Sequence, residues 1–332
     1  MSLLPHNPLP DKPPMGLYGG AILFAAPERW DEACFAAPAL RALRAARPMS
    51  TLGVICHEDQ LCLWQTIEKI DAIITYDRRT RVSALAHALI ESKKNWDAAI
   101  LWESNLTSDL CRSLKLKQIL CYDAKPLSRI ATDRIPLNPL SGPTQHRVQH
   151  YLDFLNALKI PCNKPEFFAP CRTTKKPPHS KITLIPSSDF GPSHEWSTDS
   201  WLELIDRLQR DGKEFSLLPL PQRDLPREFA KHQAHIENIA DWSEACAALQ
   251  SATLTVTADS SMAHLSAHFG TPTLTLFGPN DPDWKRPLGK QHRILRRKVE
   301  CSPCLSAKCA LDLRCQKELS VDAVHAMIRA MA

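Results

Sequence analysis

Short apolar runs alternate with amphipathic stretches along most of this chain, and that alternation confines it to parallel sheets covered by helices on both faces. The run Ala21-Ile22-Leu23-Phe24 precedes a helical stretch at 35–44, and Leu52-Gly53-Val54-Ile55-Cys56 precedes another at 61–68. The rhythm continues with strands at 70–76, 98–102 and 119–122, and helices at 82–93 and 108–116. Residues 126–144 are weakly patterned, and a helix at 150–158 follows. Prolines and lysines with little periodicity then mark 161–178 as a linker. Beyond it the rhythm resumes, with strands at 182–185, 215–218, 252–257 and 273–277 and helices at 199–210 and 242–250. A helix through Ala267 and a terminal one at 321–331 complete it.

A chain of 332 residues exceeds one hydrophobic core. The expected domains are 1–165 and 166–332. A hydrophobic content of 44% with 23% charged residues excludes disordered and fibrous classes. No apolar run is long enough to span a bilayer, and the start lacks the basic and apolar blocks of a signal peptide, so a cytoplasmic protein is expected. The net charge of +5 is scattered, with small clusters at Arg78, Arg79 and Arg81 and at Arg296, Arg297 and Lys298. No aromatic-studded basic motif accompanies them, which argues against nucleic acid and for a phosphorylated substrate or an anionic membrane surface.

Three stretches carry candidate chemistry. In the first, Asp259-Ser260-Ser261-Met262-Ala263-His264 follows an apolar strand and opens a helix. With Asp259 or Ser260 as its cap, the first-turn amides suit phosphate oxygens. In the second, Ser187-Ser188-Asp189-Phe190-Gly191-Pro192-Ser193-His194-Glu195-Trp196 forms the loop after the first strand of the second half. In the third, Asp31 and Glu32 stand where a helix begins. Either carboxylate can serve as a general base, while an N-cap at Asp31 with Glu32 in the first turn also satisfies helix energetics alone.

These stretches resemble glycosyltransferase family 9, the ADP-heptose:lipopolysaccharide heptosyltransferases. Asp259, Ser260, His264, Leu265, Ala267, Gly270, Pro272, Phe277, Gly278, Pro279, Asp281 and Pro282 fall in the order of the family's motifs. The resemblance implies a GT-B fold, an α/β architecture of two Rossmann-like domains facing each other across a cleft. The first would face the acceptor and the second bind the nucleotide-sugar. It implies an inverting transfer of heptose from an ADP-sugar donor to a lipopolysaccharide inner-core acceptor, a lipid-linked saccharide at the inner membrane surface. The protein would then be cytoplasmic or peripheral at that surface.

By the same resemblance Ser187, Ser188, His194, Asp259, Ser260, Ser261 and His264 bind the donor, and Glu32 or Asp31 is the catalytic base. Counting back from Pro38, Glu32 stands at the family's aspartate and Asp31 at its glycine; Ser261 replaces a glycine and His194 a lysine. These changes leave two alternatives open: a catalytically degenerate member that binds without turnover, and a related heptosyltransferase with a protein acceptor.

Among the 12 cysteines, Cys56 and Cys121 lie in apolar runs, whereas Cys301, Cys304, Cys309 and Cys315 cluster. Four thiolates with a Cys-x-x-Cys pair suit a structural zinc or iron in a closed tetrahedral knuckle at 301–315. Reduced thiols without metal are the other reading. No catalytic metal is expected.

Overall fold

A computed structural model describes residues 16–137, 145–171, 180–221 and 223–331. Its strands form two parallel sheets. The first contains β1 (Ala21–Ala25), β2 (Thr51–His57), β3 (Ala72–Tyr76), β4 (Ala98–Ile100), β5 (Gln118–Tyr122) and β6 (Asp133–Ile135), in the order β3-β2-β1-β4-β5-β6. The second contains β7 (Ile182–Ile185), β8 (Phe215–Leu217), β9 (Leu254–Ala258), β10 (Thr273–Phe277) and β11 (His292–Arg296), in the order β11-β10-β9-β7-β8. Pairings such as Ile22 with Leu52 and Leu184 with Val256 place apolar side chains in layers on both faces of each sheet.

The helices associated with the first sheet are α1 (Trp30–Ala46), α2 (Leu61–Trp64), α3 (Val82–Glu91), α4 (Leu106–Ser113) and α5 (Val148–Ala157). The later ones are α6 (Thr198–Arg210), α7 (Trp242–Ser251), α8 (Ser261–His268), α9 (Pro282–Lys285), α10 (Arg314–Lys317) and α11 (Val321–Met331). Two strands depart from the expected pattern: β6 lies within the weakly patterned 126–144, and β11 carries three basic residues out of five. Both are edge strands, where one flank need not be apolar.

Each sheet has a point where the strand order reverses, between β1 and β4 and between β7 and β9. Ligands of open α/β sheets bind beyond the carboxyl ends of strands at such points. The loops leaving β1, β7 and β9 therefore position the site. Helices α1 and α8 pack against one another, as do α2 and α7, and one apolar cluster runs without interruption from Phe24, Phe35 and Leu40 to Met262, Leu265 and Phe269.

Candidate active site between the two sheets

Helix α1 begins two residues earlier than a cap at Asp31 requires. Arg29 occupies the N-cap position with extended backbone, so Asp31 lies in the first turn and is fully buried. The guanidinium of Arg29 holds it at 3.0 and 3.1 Å, and Lys285 Nζ lies 2.7 Å from Asp31 Oδ2. Burial acting alone would raise this carboxyl; the charges of Lys285 and Arg29 outweigh it and hold the group far below the usual carboxylate range. Asp31 is thus a fixed anion rather than a proton acceptor near neutral pH.

Glu32 faces a different set of partners. Arg147 Nε donates to both its oxygens at 3.0 and 2.8 Å, Tyr151 Oη donates at 2.7 Å, and Lys285 Nζ stands 3.5 Å away. Its side chain is 12% exposed, where that of Asp31 is 0%. Burial and the Glu32 charge keep the Tyr151 phenol well above its usual range, so it stays a donor.

Lys285 comes from α9, where Pro282 at the first helical position and Asp281 as N-cap, accepting from Asp283 N–H at 3.0 Å, fix a single turn. That turn is tied to α5 by Arg147 N–H to Trp284 C=O at 2.8 Å. The two carboxylates of the first half are therefore met by a cation from the second.

Across the cleft, Asp259 is fully buried at the end of β9. His194 Nδ1 lies 2.8 Å and Asn280 Nδ2 2.7 Å from its Oδ2, while Oδ1 has no partner. His194 spends that nitrogen on Asp259, so it is not free to stand in fully for a phosphate-holding lysine. Ser188 is also committed: its hydroxyl donates to Asp259 C=O at 2.6 Å and accepts from Phe190 N–H at 3.1 Å. Ser187 is buried beside it. Ser260 is the N-cap of α8 but makes no capping bond, its hydroxyl lying 3.2 Å from Thr257 Oγ1. The amide of Ser261 donates instead to Asp189 Oδ1 at 2.8 Å. Ser261 opens the helix outside the positive-φ region, so its side chain sits there without backbone strain.

His264, one turn along α8, packs edge-on against Phe35 with ring centroids 4.9 Å apart. Burial pushes it down to about 3 against the opposing pull of Asp31. At neutral pH it is an uncharged imidazole with one donor and one acceptor, and neither ring nitrogen has a partner.

The cysteine segment lies behind these loops. Cys304 N–H and Leu305 N–H donate to Pro279 C=O at 3.0 and 2.9 Å, and Ser193 N–H donates to Ala307 C=O at 3.3 Å. Gly191, at φ +121°, admits that approach: a Cβ there would lie 2.4 Å from the Ala307 carbonyl oxygen. The segment thus buttresses the loops that carry His194 and Asn280. Burial raises the Cys315 thiol, and Cys301, Cys304 and Cys309 act in the same direction. Their chemistry suits zinc or iron, yet among the described residues no three such ligands converge as an ion requires. A bound metal would need the segment to tighten.

The family description "Glycosyltransferase family 9 (heptosyltransferase)" matches residues 144–314, just over half of the chain. The chain belongs to glycosyltransferase family 9. Among curated family 9 heptosyltransferases it is similar to lipooligosaccharide heptosyltransferase 2 of Haemophilus influenzae, 25% identical over 124 residues that cover 35% of this chain and 36% of that protein. The alignment thus spans about a third of the curated relative's length. The fold matches Escherichia coli ADP-heptose heptosyltransferase II with a TM-score of 0.74 at 18% identity, covering 94% of this chain and 98% of that one. A family 9 glycosyltransferase of Veillonella parvula matches with a TM-score of 0.76 at 18% identity, covering 96% and 98%. These likenesses establish the GT-B architecture of two facing α/β units. Lys285, Arg29, Arg147, Tyr151 and Asn280 line the candidate site and were missed by sequence reading; only Asn280, inside the motif that ends at Pro282, carried a signal that could have revealed it.

Proposed function

We propose that this protein is an inverting heptosyltransferase that moves a heptose from ADP-heptose to a hydroxyl of a lipopolysaccharide inner-core acceptor, with Glu32 as the base. The observation that carries this reading is the pairing of Glu32, the more accessible of two buried-cleft carboxylates, with unpartnered Asp259 Oδ1 and His264 nitrogens on the facing domain. Buried polar atoms without partners are costly: a sugar hydroxyl donating to Asp259 Oδ1, and a hydroxyl or phosphate oxygen accepting from His264, would satisfy them. In the step envisaged, the acceptor hydroxyl gives its proton to Glu32 as its oxygen attacks the anomeric carbon. The glycosidic bond to phosphate breaks, and ADP leaves with the electron pair. Charge developing on that diphosphate is met by α8 amides and by Arg29 and Lys285. The likeness to lipopolysaccharide heptosyltransferases supports the donor and acceptor classes. No helix among the described residues is long and apolar enough to cross a membrane, which accords with a protein acting in the cytoplasm or from the inner membrane face.

A second reading has its own support: Arg147, Tyr151 and Lys285 already surround Glu32, as they would in a degenerate member that binds donor without turnover. Steady-state transfer from ADP-heptose to inner-core lipopolysaccharide decides between them. Glu32→Gln is expected to lower kcat by roughly 10²- to 10⁴-fold, the usual worth of a general base, while ADP affinity stays within a factor of about three. An unchanged kcat would remove Glu32 from the base role. Tight donor binding with no turnover in the parent protein would establish the degenerate reading, and absence of ADP binding would sink both.

A further inference from the structure

The anion seat at the start of α8 is already taken by an anion of the protein's own. Asp189 Oδ1 accepts from Ser261 N–H at 2.8 Å across 72 residues of sequence, whereas Ser260, the residue in the cap position, makes no side-chain bond to the helix. A helix whose only job were structural would be capped by that local serine. Around this amide lie polar atoms equipped for a larger ligand. Both His264 nitrogens and Asp259 Oδ1 have no partner, and each belongs to a residue no more than 2% exposed.

Two cations flank the same place. The Arg29 guanidinium lies 5.2 Å and Lys285 Nζ 5.8 Å from the ring of Phe190, the residue after Asp189. Unlike its neighbours, Asp189 is exposed, on the loop that runs into Gly191.

We propose that Asp189 occupies the place of the donor's diphosphate in the ligand-free protein and is displaced into solvent when donor binds, acting as a built-in competitor that weakens nucleotide affinity. The proposal rests on the donor-site reading above. Ser261 N–H cannot serve a carboxylate and a phosphate oxygen at once, and two anions in one seat repel. A diphosphate wins because it carries more charge and also reaches the His264 N–H, a donor that a single carboxylate leaves unmet, while the sugar hydroxyls of the donor serve Asp259 Oδ1. The same competition acts in reverse after transfer, when Asp189 returns to the amide and helps expel ADP.

The test is calorimetric titration of the full chain with ADP and, separately, with inorganic pyrophosphate, in the parent, Asp189→Ala and Asp189→Asn. Asp189→Ala is expected to bind ADP about tenfold or more tightly, with pyrophosphate gaining by a similar factor because the effect belongs to the anion seat. Asp189→Asn keeps an oxygen for Ser261 N–H but loses the charge, so a smaller gain is expected, and its near-identical shape guards against a folding defect. Equal or weaker ADP binding in both folded variants would overturn the proposal while leaving the donor site intact. If the folded parent and both variants fail to bind ADP, the donor-site reading itself falls and the proposal with it.

Discussion

Replacing Lys285 by methionine tests the contact that joins the two halves at their most buried charges. Methionine keeps an unbranched apolar side chain while removing the ammonium, which lies 5.8 Å from the Phe190 ring and 4.9 Å from that of Trp284. Lys285 Nζ lies 2.7 Å from Asp31 and 3.5 Å from Glu32, and its side chain is 7% exposed. At an effective dielectric of about 20 these separations correspond to gross attractions of roughly 6 and 5 kcal/mol. Arg29 stays on Asp31 and Arg147 on Glu32, so the loss should fall to the ~3–5 kcal/mol typical of breaking a buried pair. Against a total stability of about 5–15 kcal/mol that is a large fraction. Asp31→Asn should cost a comparable amount because it strands the lysine. The double variant removes both charges and should cost at least ~2 kcal/mol less than the sum of the singles. Urea unfolding measures this as midpoint shifts at constant slope. Costs that add to within about 0.5 kcal/mol would refute the pairing and, with it, the account of Asp31 as a fixed anion.

Burial pushes His264 and His268 down to about 3, whereas an unfolded histidine titrates near 6.5. The unfolded chain therefore binds more protons between those values, and stability should fall as pH falls through that window, by at most about 1.4 kcal/mol per unit for each residue. Asp31 adds to the acid side: its stabilisation is present above the ordinary carboxylate value and is lost below it. Equal unfolding midpoints at pH 7 and pH 5 would contradict this. The sulfurs of Cys62 on α2 and Cys246 on α7 lie 2.8 Å apart, so an azo-type thiol oxidant should join them, with loss of two hydrogens by mass. Both residues remaining free to alkylation afterwards would refute that proximity. We expect zinc or iron to co-purify at the cysteine segment under anaerobic conditions, and Cys315→Ser to lose the metal and weaken ADP binding through the buttressed loops. A metal-free parent with ADP affinity equal to that of Cys315→Ser would show that no ion shapes these loops.

Much of the architecture was legible because nearly every interior strand is a short apolar run, as in Leu52 to Cys56 and Leu254 to Ala258. Edge strands β6 and β11 escaped because one is short and the other basic, and neither is buried on both flanks. The domain limits at residues 165 and 166 remain our assignment. In the site, the order of Asp259, Ser260 and His264 pointed to one cluster, since these residues share one strand and one helix. Apart from Arg29, two residues from Asp31, the partners of Asp31 and Glu32 did not show, because Arg147 is 115 residues from Glu32 and Lys285 is 254 from Asp31. Contacts of that span arise from how two sheets dock, which no local spacing encodes. A cap at Asp31 is not observed: Arg29 takes that position, and the Asp31 carboxylate is bound by Arg29 and by the distant Lys285.

The apolar cluster shared by α1, α2, α7 and α8 constrains how such a molecule can breathe. Swinging the halves apart would bring Phe35, Leu265 and Phe269 into water, at about 1.5–3 kcal/mol for each such side chain exposed. Sliding α8 along α1 keeps those side chains covered while shifting the loops at their ends. Substrate exchange in this chain should therefore proceed by shear, with loops moving by small rotations at the rim while the seam between the halves stays dry.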